Sequence, residues 1–551
     1  MDVRDVEKLA KSGESLTVEF KRRRDKSEFS AREAVRMAVC LANGSGGTIL
    51  VGVDDDGAIT GAIDLFEDGS PNYHLENFLR AHTTPPIDVH VEEVRVPVEG
   101  EDRLVIVVSV EASPMPVATK DGLYVYRTLD AQGQPECQPM DPAYLFTRYR
   151  EARHIDPMTA PAEGTTISDL DPLEIERYRR LIVANRADEN VSTLDNAALV
   201  RALGFYPDDD GPVALGAIAL FGTAQSIARH LPMHEVRFSV LGGTRVRENY
   251  STSAPLVAAY EDIAARIDKY RSEEELQLGL VRLGFTNLPV RAVREGLANA
   301  LIHRDYFALG AVTVQLAESL TISSPGGLPR GVNVDNIFVQ SIPRSPLLAD
   351  AFKRAGLVEC TGRGVQIMAE ELLLNGRGEP DYSATTGRSV TVSLPILATA
   401  VESAYVLRAW MGDNGELPLT AIRAIHLVAM EGEKSMADIQ RDLSLSRHTV
   451  QSACVELERT GLLARGRTLY RLGPTYTALM PRRQAGGSDR IEDAISDLLS
   501  SHDTVTTSAV MAAAGVTRAQ ATRALGKMVE AGELVRHGTT RDVYYTRVVK
   551  A

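Results

Sequence analysis

The stretch from Ala31 to Gly57 constrains the fold of this 551-residue chain more than any other. A helix-like run from Ala31 to Ala42 gives way to Asn43-Gly-Ser-Gly-Gly47, a strand Thr48-Ile-Leu-Val-Gly-Val53 and an acidic turn Asp54-Asp-Asp-Gly57. A helical period, then glycine punctuation, then a β-rich run calls for an α/β layer. Strand candidates recur at Val89–Val96 and Leu104–Val110, and Gly122–Arg127 alternates with period two, so residues 1–150 read as one α/β domain.

Pro157, Pro161 and Gly164 mark a linker, and Asp171-Pro172 starts a new helix. Residues 168–400 again mix helices and strands, including an expected apolar strand at Ala214–Phe221 and an amphipathic stretch over Leu256–Tyr270. Beyond Leu394-Pro395 the pattern turns helical, with two similar blocks at 404–480 and 488–551. The expected fold class is therefore multidomain, α/β plus α-rich.

The longest apolar run, Val213–Phe221, falls well short of the roughly 20 residues that span a bilayer. Met1-Asp-Val-Arg-Asp has no apolar signal region, so a cytoplasmic protein without a membrane partner is expected. Cys40, Cys137, Cys360 and Cys454 form no CxxC pair; buried thiols are expected in place of a disulfide framework or zinc ribbon. The net charge of −14 opposes phosphate binding. Residues 402–551, however, hold 19 Lys and Arg against 17 Asp and Glu, which frees the tail from that repulsion.

Near the amino terminus, Glu14-Ser-Leu-Thr-Val-Glu19-Phe-Lys21 reads as a strand entry with Val18 and Phe20 on one face and Glu19 and Lys21 on the other. If the strand 48–53 pairs close by, Asp54 joins Glu14 and Glu19 in a three-carboxylate cluster. Such oxygen ligands suit Mg²⁺ or Mn²⁺ in phosphodiester cleavage. Taken on spacing alone, surface charges at strand ends are the favoured reading of the same acids. Lys21, Arg22, Arg23 and Arg24 form a basic run suited to phosphate contact or to a solvated strand end.

The series Glu-Ser-x-x-x-Glu-Phe-Lys, helix, Asn-x-x-Gly-Gly and Gly-Val-Asp-Asp-x-Gly resembles the Schlafen/AlbA-2 signature over residues 1–150. The resemblance implies a nucleic-acid-binding module, with Glu14, Glu19 and Asp54 at the positions that are catalytic in Schlafen RNA nucleases. Many bacterial relatives with these residues are regarded as DNA-binding regulators.

In the middle of the chain, Glu295, Asn299 and His303 fall at i, i+4 and i+8 of one helix, a polar stripe among apolar residues. A strand Val312–Leu316, Leu320-Thr-Ile-Ser-Ser-Pro-Gly-Gly-Leu-Pro329 and Thr361-Gly-Arg-Gly364 follow. This order resembles the GHKL-type ATP-binding module over about 170–395. The likeness implies Asn299 on a nucleotide-bound Mg²⁺, Glu295 orienting water, His303 nearby, and Gly326, Gly327, Gly362 and Gly364 approaching the nucleotide by backbone. Ser323 stands where such sites place the adenine-reading aspartate. No P-loop segment occurs in the sequence.

In the first carboxy-terminal block, Met436–Leu463 has the layout of a helix, a tight turn with Leu443 and Leu445, and a second helix opened by Ser446 with Val450, Cys454 and Leu457 inside. Arg447, His448 and Gln451 lie at the exposed start of the second helix, and Arg465 and Arg467 in a hairpin. The second block presents Arg518, Gln520 and Arg523 in the same way. Both blocks resemble winged helix-turn-helix domains, which also serve as dimerisation units. The expected function is a nucleic-acid-binding regulator of the transcriptional type with an ATP site, DNA ahead of RNA as partner, and self-association. The alternative is a Schlafen-like metal-dependent endonuclease.

Overall fold

The computed structural model describes residues 1–551 apart from 67–70, 131–133, 154, 207–210, 244, 279–280, 330, 335, 359–361, 481–490, 492–493, 497, 500–503, 515–517, 532, 539–542 and 548–551. Side chains of 274, 276–278, 281–283, 512, 514, 519–520 and 530 lie outside the description as well. The chain forms two compact units, one of Met1–Glu273 with Thr286–Thr477 and one of Glu274–Phe285 with Ala478–Ala551.

The first unit begins with a four-stranded sheet in the order Val18–Lys21, Gly47–Val51, Glu101–Val110, Val89–Val98. The first pair is parallel and the other two are antiparallel. A parallel pair needs a crossover. The helix Ala31–Ala42 supplies it, opened by a reciprocal cap between Ser30 and Glu33. Ala34, Val35, Ala38 and Val39 of this helix bury against Ile49, Val51, Ile106 and Val108; on the opposite sheet face Val6 and Ala10 pack on Phe20, Leu50 and Val105. At Gly47 a Cβ would stand 2.2 Å from the Thr17 carbonyl oxygen, so only glycine lets the two strands meet there.

A five-stranded sheet follows in the order Arg245–Thr252, Val236–Gly242, Val312–Leu316, Ser319–Pro325, Ser389–Pro395. The helix Val290–Ile302 lies on it, burying Leu297 and Leu301 with Ile322 and Leu394, while Met368 of the helix Gly364–Leu374 shares that core. The apolar run expected as a strand is instead a helix, Leu215–Phe221, with all seven residues buried. A short run that is apolar on every side does not distinguish the two states by period. Its Leu, Gly and Ala content, with Ile218 as the one β-branched residue, gives a strand little to favour it.

The cysteine reading is also corrected. Cys40, on the crossover helix, is disulfide-bonded to Cys137 on the strand Pro135–Pro139, across a sequence separation of 97. No local spacing motif announces a bond of that reach. Cys454 is a buried free thiol, its pKa pushed up to about 11 by burial, and Cys360 lies outside the described residues.

The helices Leu419–Glu431, Met436–Leu443 and Arg447–Arg459 complete the first unit with a three-stranded sheet whose hairpin is Leu463–Arg465 and Leu469–Leu472. The second unit contains the helices Thr507–Ala514 and Arg518–Glu530 beside strands Val505–Thr506, Leu534–His537 and Tyr544–Arg547, around Ile495, Val510, Leu525 and Tyr545. It also includes Glu274–Phe285 of the hairpin formed by the strands Glu273–Leu278 and Val281–Thr286. Among the described residues, no helix is long and apolar enough to cross a membrane.

Candidate functional site

A cavity of about 380 Å³ opens between the helix Val290–Ile302, the amino terminus of the helix Gly364–Leu374, the strands Ser319–Pro325 and Ser389–Pro395, and the loop 326–346. Glu295 and Asn299 on one helix face and His303 at that helix's C-cap, just past its expected place within the helix, all line it, together with Gly327, Gly362 and Gly364.

The glycines explain how the walls approach. A Cβ on Gly364 would stand 2.6 Å from Glu295 Oε2 and 3.1 Å from Asn299 Nδ2, so the first turn of the Gly364–Leu374 helix meets the polar stripe only because residue 364 has no side chain. Gly362 adopts φ +68° with Ser341 Oγ 2.9 Å from where its Cβ would be. A Cβ on Gly327 would meet the Gly387 carbonyl oxygen at 2.4 Å. Gly326, at φ +98°, borders the site without lining it.

Electrostatically the site pairs an acid with a helix amino terminus. Glu295 is 5% exposed, and the N–H groups that open the Gly364–Leu374 helix, which has no side-chain cap among the described residues, carry partial positive charge suited to an anion. His303 is held neutral: burial pushes its pKa down to about 4, and the Arg344 charge acts the same way. Arg344 donates to the Gly327 carbonyl at 2.6 Å and ion-pairs with Asp305 and Glu151, both at 3.4 Å, which fixes the loop that forms one wall.

Ser323, expected to read the base, faces away from the cavity, and its hydroxyl hydrogen-bonds with Thr391 Oγ1 at 2.8 Å. Its neighbour Ser324 lines the cavity, donating to the Ala300 carbonyl at 2.7 Å. The signal was in the sequence: Leu320 and Ile322 are the inward residues of that strand, so period two puts Ser324 on the inner face. Tyr382 and Phe338 also line the cavity and carry no such signal.

The amino-terminal acids behave differently. Glu14 accepts the Phe20 backbone N–H at 2.8 Å. Glu19 is 6% exposed and ion-pairs through one oxygen with Lys21 and through the other with Arg127, whose guanidinium also donates to the Ser15 and Val18 carbonyls. Asp54 is tied to Arg24 at 2.7 Å and accepts from the Thr60 hydroxyl at 3.0 Å. The expected three-carboxylate metal cluster is thus not assembled; each acid is occupied by a separate partner, and no group of three His, Cys, Asp or Glu suited to a metal occurs among the described residues. The basic run is used internally too. Arg22 pairs with Glu28, and buried Arg23 donates to the carbonyls of Lys26, Glu28 and Asp64.

In the first carboxy-terminal block, Ser446 caps the helix that presents Arg447, His448 and Gln451 to solvent, above buried Val450, Cys454 and Leu457. Arg465 and Arg467 are exposed in the hairpin. In the second unit Arg518 and Arg523 are exposed on one helix; Gln520 is on that helix with its side chain outside the described residues.

Residues 14–135 match the model described as Schlafen, AlbA_2, residues 147–237 match a domain of unknown function (DUF8451), and residues 312–394 match the model described as Putative ATP-dependent DNA helicase recG C-terminal. The third match covers the strands and glycine loops of the cavity, while Glu295, Asn299 and His303 precede it. Among solved structures, the DIP2311 protein from Corynebacterium diphtheriae is 21% identical over 99% of each chain, with a TM-score of 0.47. Comparison with curated proteins gives no match. The chain therefore combines a Schlafen/AlbA-2-type segment with an ATPase-like module of the kind found at the carboxy terminus of recG-type proteins.

Proposed function

We propose that this protein is a nucleotide-responsive, nucleic-acid-binding regulator of the DNA-binding transcriptional type. The observation that carries the reading is the cavity itself: a polar stripe of Glu295 and Asn299 set against a glycine-opened helix amino terminus, with apolar walls at Ile322, Val390 and Val392. The helix terminus would receive phosphates, and the apolar walls a planar base. The carboxylate of Glu295 and the amide oxygen of Asn299 form an all-oxygen donor pair that fits Mg²⁺. The metal would neutralise phosphate charge; Glu295 would orient water, and the neutral imidazole of His303 would offer a hydrogen bond without adding charge. Ser324, not Ser323, stands nearest the base position.

Arg423 supports a link from this cavity to the helix-turn-helix block. It forms a two-pronged pair with Glu379 at 2.7 and 2.8 Å, lies 4.4 Å from the ring of cavity-lining Phe338, and reaches the Leu443 carbonyl at the end of the first helix of that block. A ligand that shifts Phe338 therefore acts on the base of the winged-helix domain, where Arg447, His448, Gln451, Arg465 and Arg467 would contact DNA. The amino-terminal domain adds a further nucleic-acid contact, and the second winged helix another through Arg518, Gln520 and Arg523. The endonuclease alternative finds no comparable support, because Lys21, Arg127 and Arg24 occupy the acids it needs.

The test is a gel-shift titration of duplex DNA with and without MgATP. A nucleotide-dependent change in affinity is the expected result; indifference to a nucleotide that binds removes the regulatory link.

A further inference from the structure

The helix Pro142–Ala152 presents an unusual outer face. Phe146 is 58% exposed and Tyr149 41% exposed, and Phe307, from the loop after the helix Val290–Ile302, is 46% exposed beside them. These rings are interleaved with guanidinium groups at helical i, i+4 spacing. Arg150 lies 4.9 Å from the Phe146 ring centre and 4.5 Å from that of Phe307, and Arg153 lies 5.6 Å from that of Tyr149.

The arrangement is held from beneath. Arg150 is buried and ion-pairs with Asp305 at 3.5 Å, and the same Asp305 accepts the Thr147 hydroxyl at 2.6 Å. Two flanking rings are thereby fixed with their outer faces toward solvent. Arg153 is exposed and, among the described residues, has no carboxylate partner.

Exposed rings are costly in water unless they have an occupant. A wholly apolar protein partner would leave the Arg153 charge, which has no carboxylate partner among the described residues, uncompensated. Unpaired bases with their phosphates match both features, since every base has a stacking face and every linkage a negative charge. We propose that Phe146, Tyr149 and Phe307, with Arg150 and Arg153, form a stacking platform for single-stranded nucleic acid. This deepens the nucleic-acid reading above by assigning strandedness to a surface separate from the winged helices.

The experiment is fluorescence polarisation of the full-length protein with a labelled twelve-residue oligothymidylate and, separately, a labelled blunt duplex. Phe146→Ala and Tyr149→Ala each weaken oligothymidylate binding roughly tenfold, Phe146→Trp retains it, and duplex binding is unchanged. Arg447→Ala does the reverse. Failure of wild type to bind oligothymidylate, or equal binding by wild type and Phe146→Ala, overturns the platform while duplex binding still reports on the regulator. Light scattering of wild type and Phe146→Ala provides the control: a dimer lost in the variant means that the face joins two copies of the chain, which also overturns the platform.

Discussion

The amino-terminal carboxylates and the middle cavity are both recognisable motifs, yet the fold treats them in opposite ways. Glu19 is closed off by two cations, whereas Glu295 and Asn299 are kept beside open space by a glycine that cannot fill it. A motif marks ancestry in either case. Chemistry also needs open space beside the acid, which the cavity provides at Glu295.

The sharpest test of the closed region is Arg127→Ala. It removes the guanidinium beside a buried carboxylate and three backbone contacts, and a destabilisation of about 3 kcal/mol is expected in urea unfolding. The double variant Arg127→Ala/Glu19→Ala should recover part of that loss; strict additivity would break the account of Glu19 as a structural ion-pair member.

In the open region, Arg423→Ala should cost about 2 kcal/mol of stability, and Arg423→Lys should not restore it, because an ammonium cannot form the two-pronged bond to Glu379. Full rescue by lysine would mean that charge alone matters there.

Acid should loosen the middle module before the amino-terminal sheet. Burial pushes the pKa values of both His303 and His234 down to about 4 from the ordinary 6.5. Between those values the unfolded chain takes up protons that the native fold refuses, so stability falls as pH drops from about 6.5 toward 4. His303 and His234 NMR signals titrating near 6.5 in the native protein would contradict this.

The smallest effect belongs to Asp54→Asn. Its exposed pair with Arg24 should change stability by under about 1 kcal/mol, read by thermal unfolding. A Mn²⁺-induced stabilisation of wild type that this variant abolishes would show that the acids do gather on a metal.

Much of this was legible in the chain. The crossover helix Ala31–Ala42 matched its expected bounds because its cap and apolar stripe are local. The Glu295, Asn299 and His303 stripe was legible for the same reason: one helix and its C-cap residue hold all three. The fate of Glu19 was not, since Arg127 lies more than a hundred residues away and reaches it through sheet packing. The Cys40–Cys137 bond was not legible for the same reason, since Cys137 is brought to Cys40 by the pairing of the strand that holds it with the one holding Arg127. Ser323 stands at the motif position, but the pleat of its strand places Ser324 on the inner face instead.

Calorimetric titration of MgATP into wild type and Asn299→Ala tests the central claim most directly. Saturable one-to-one binding by wild type, weakened at least tenfold in a variant whose unfolding midpoint is unchanged, is the expected result. Absence of binding to wild type, or equal affinity in the two proteins, would contradict a nucleotide site at Glu295, Asn299 and Gly364.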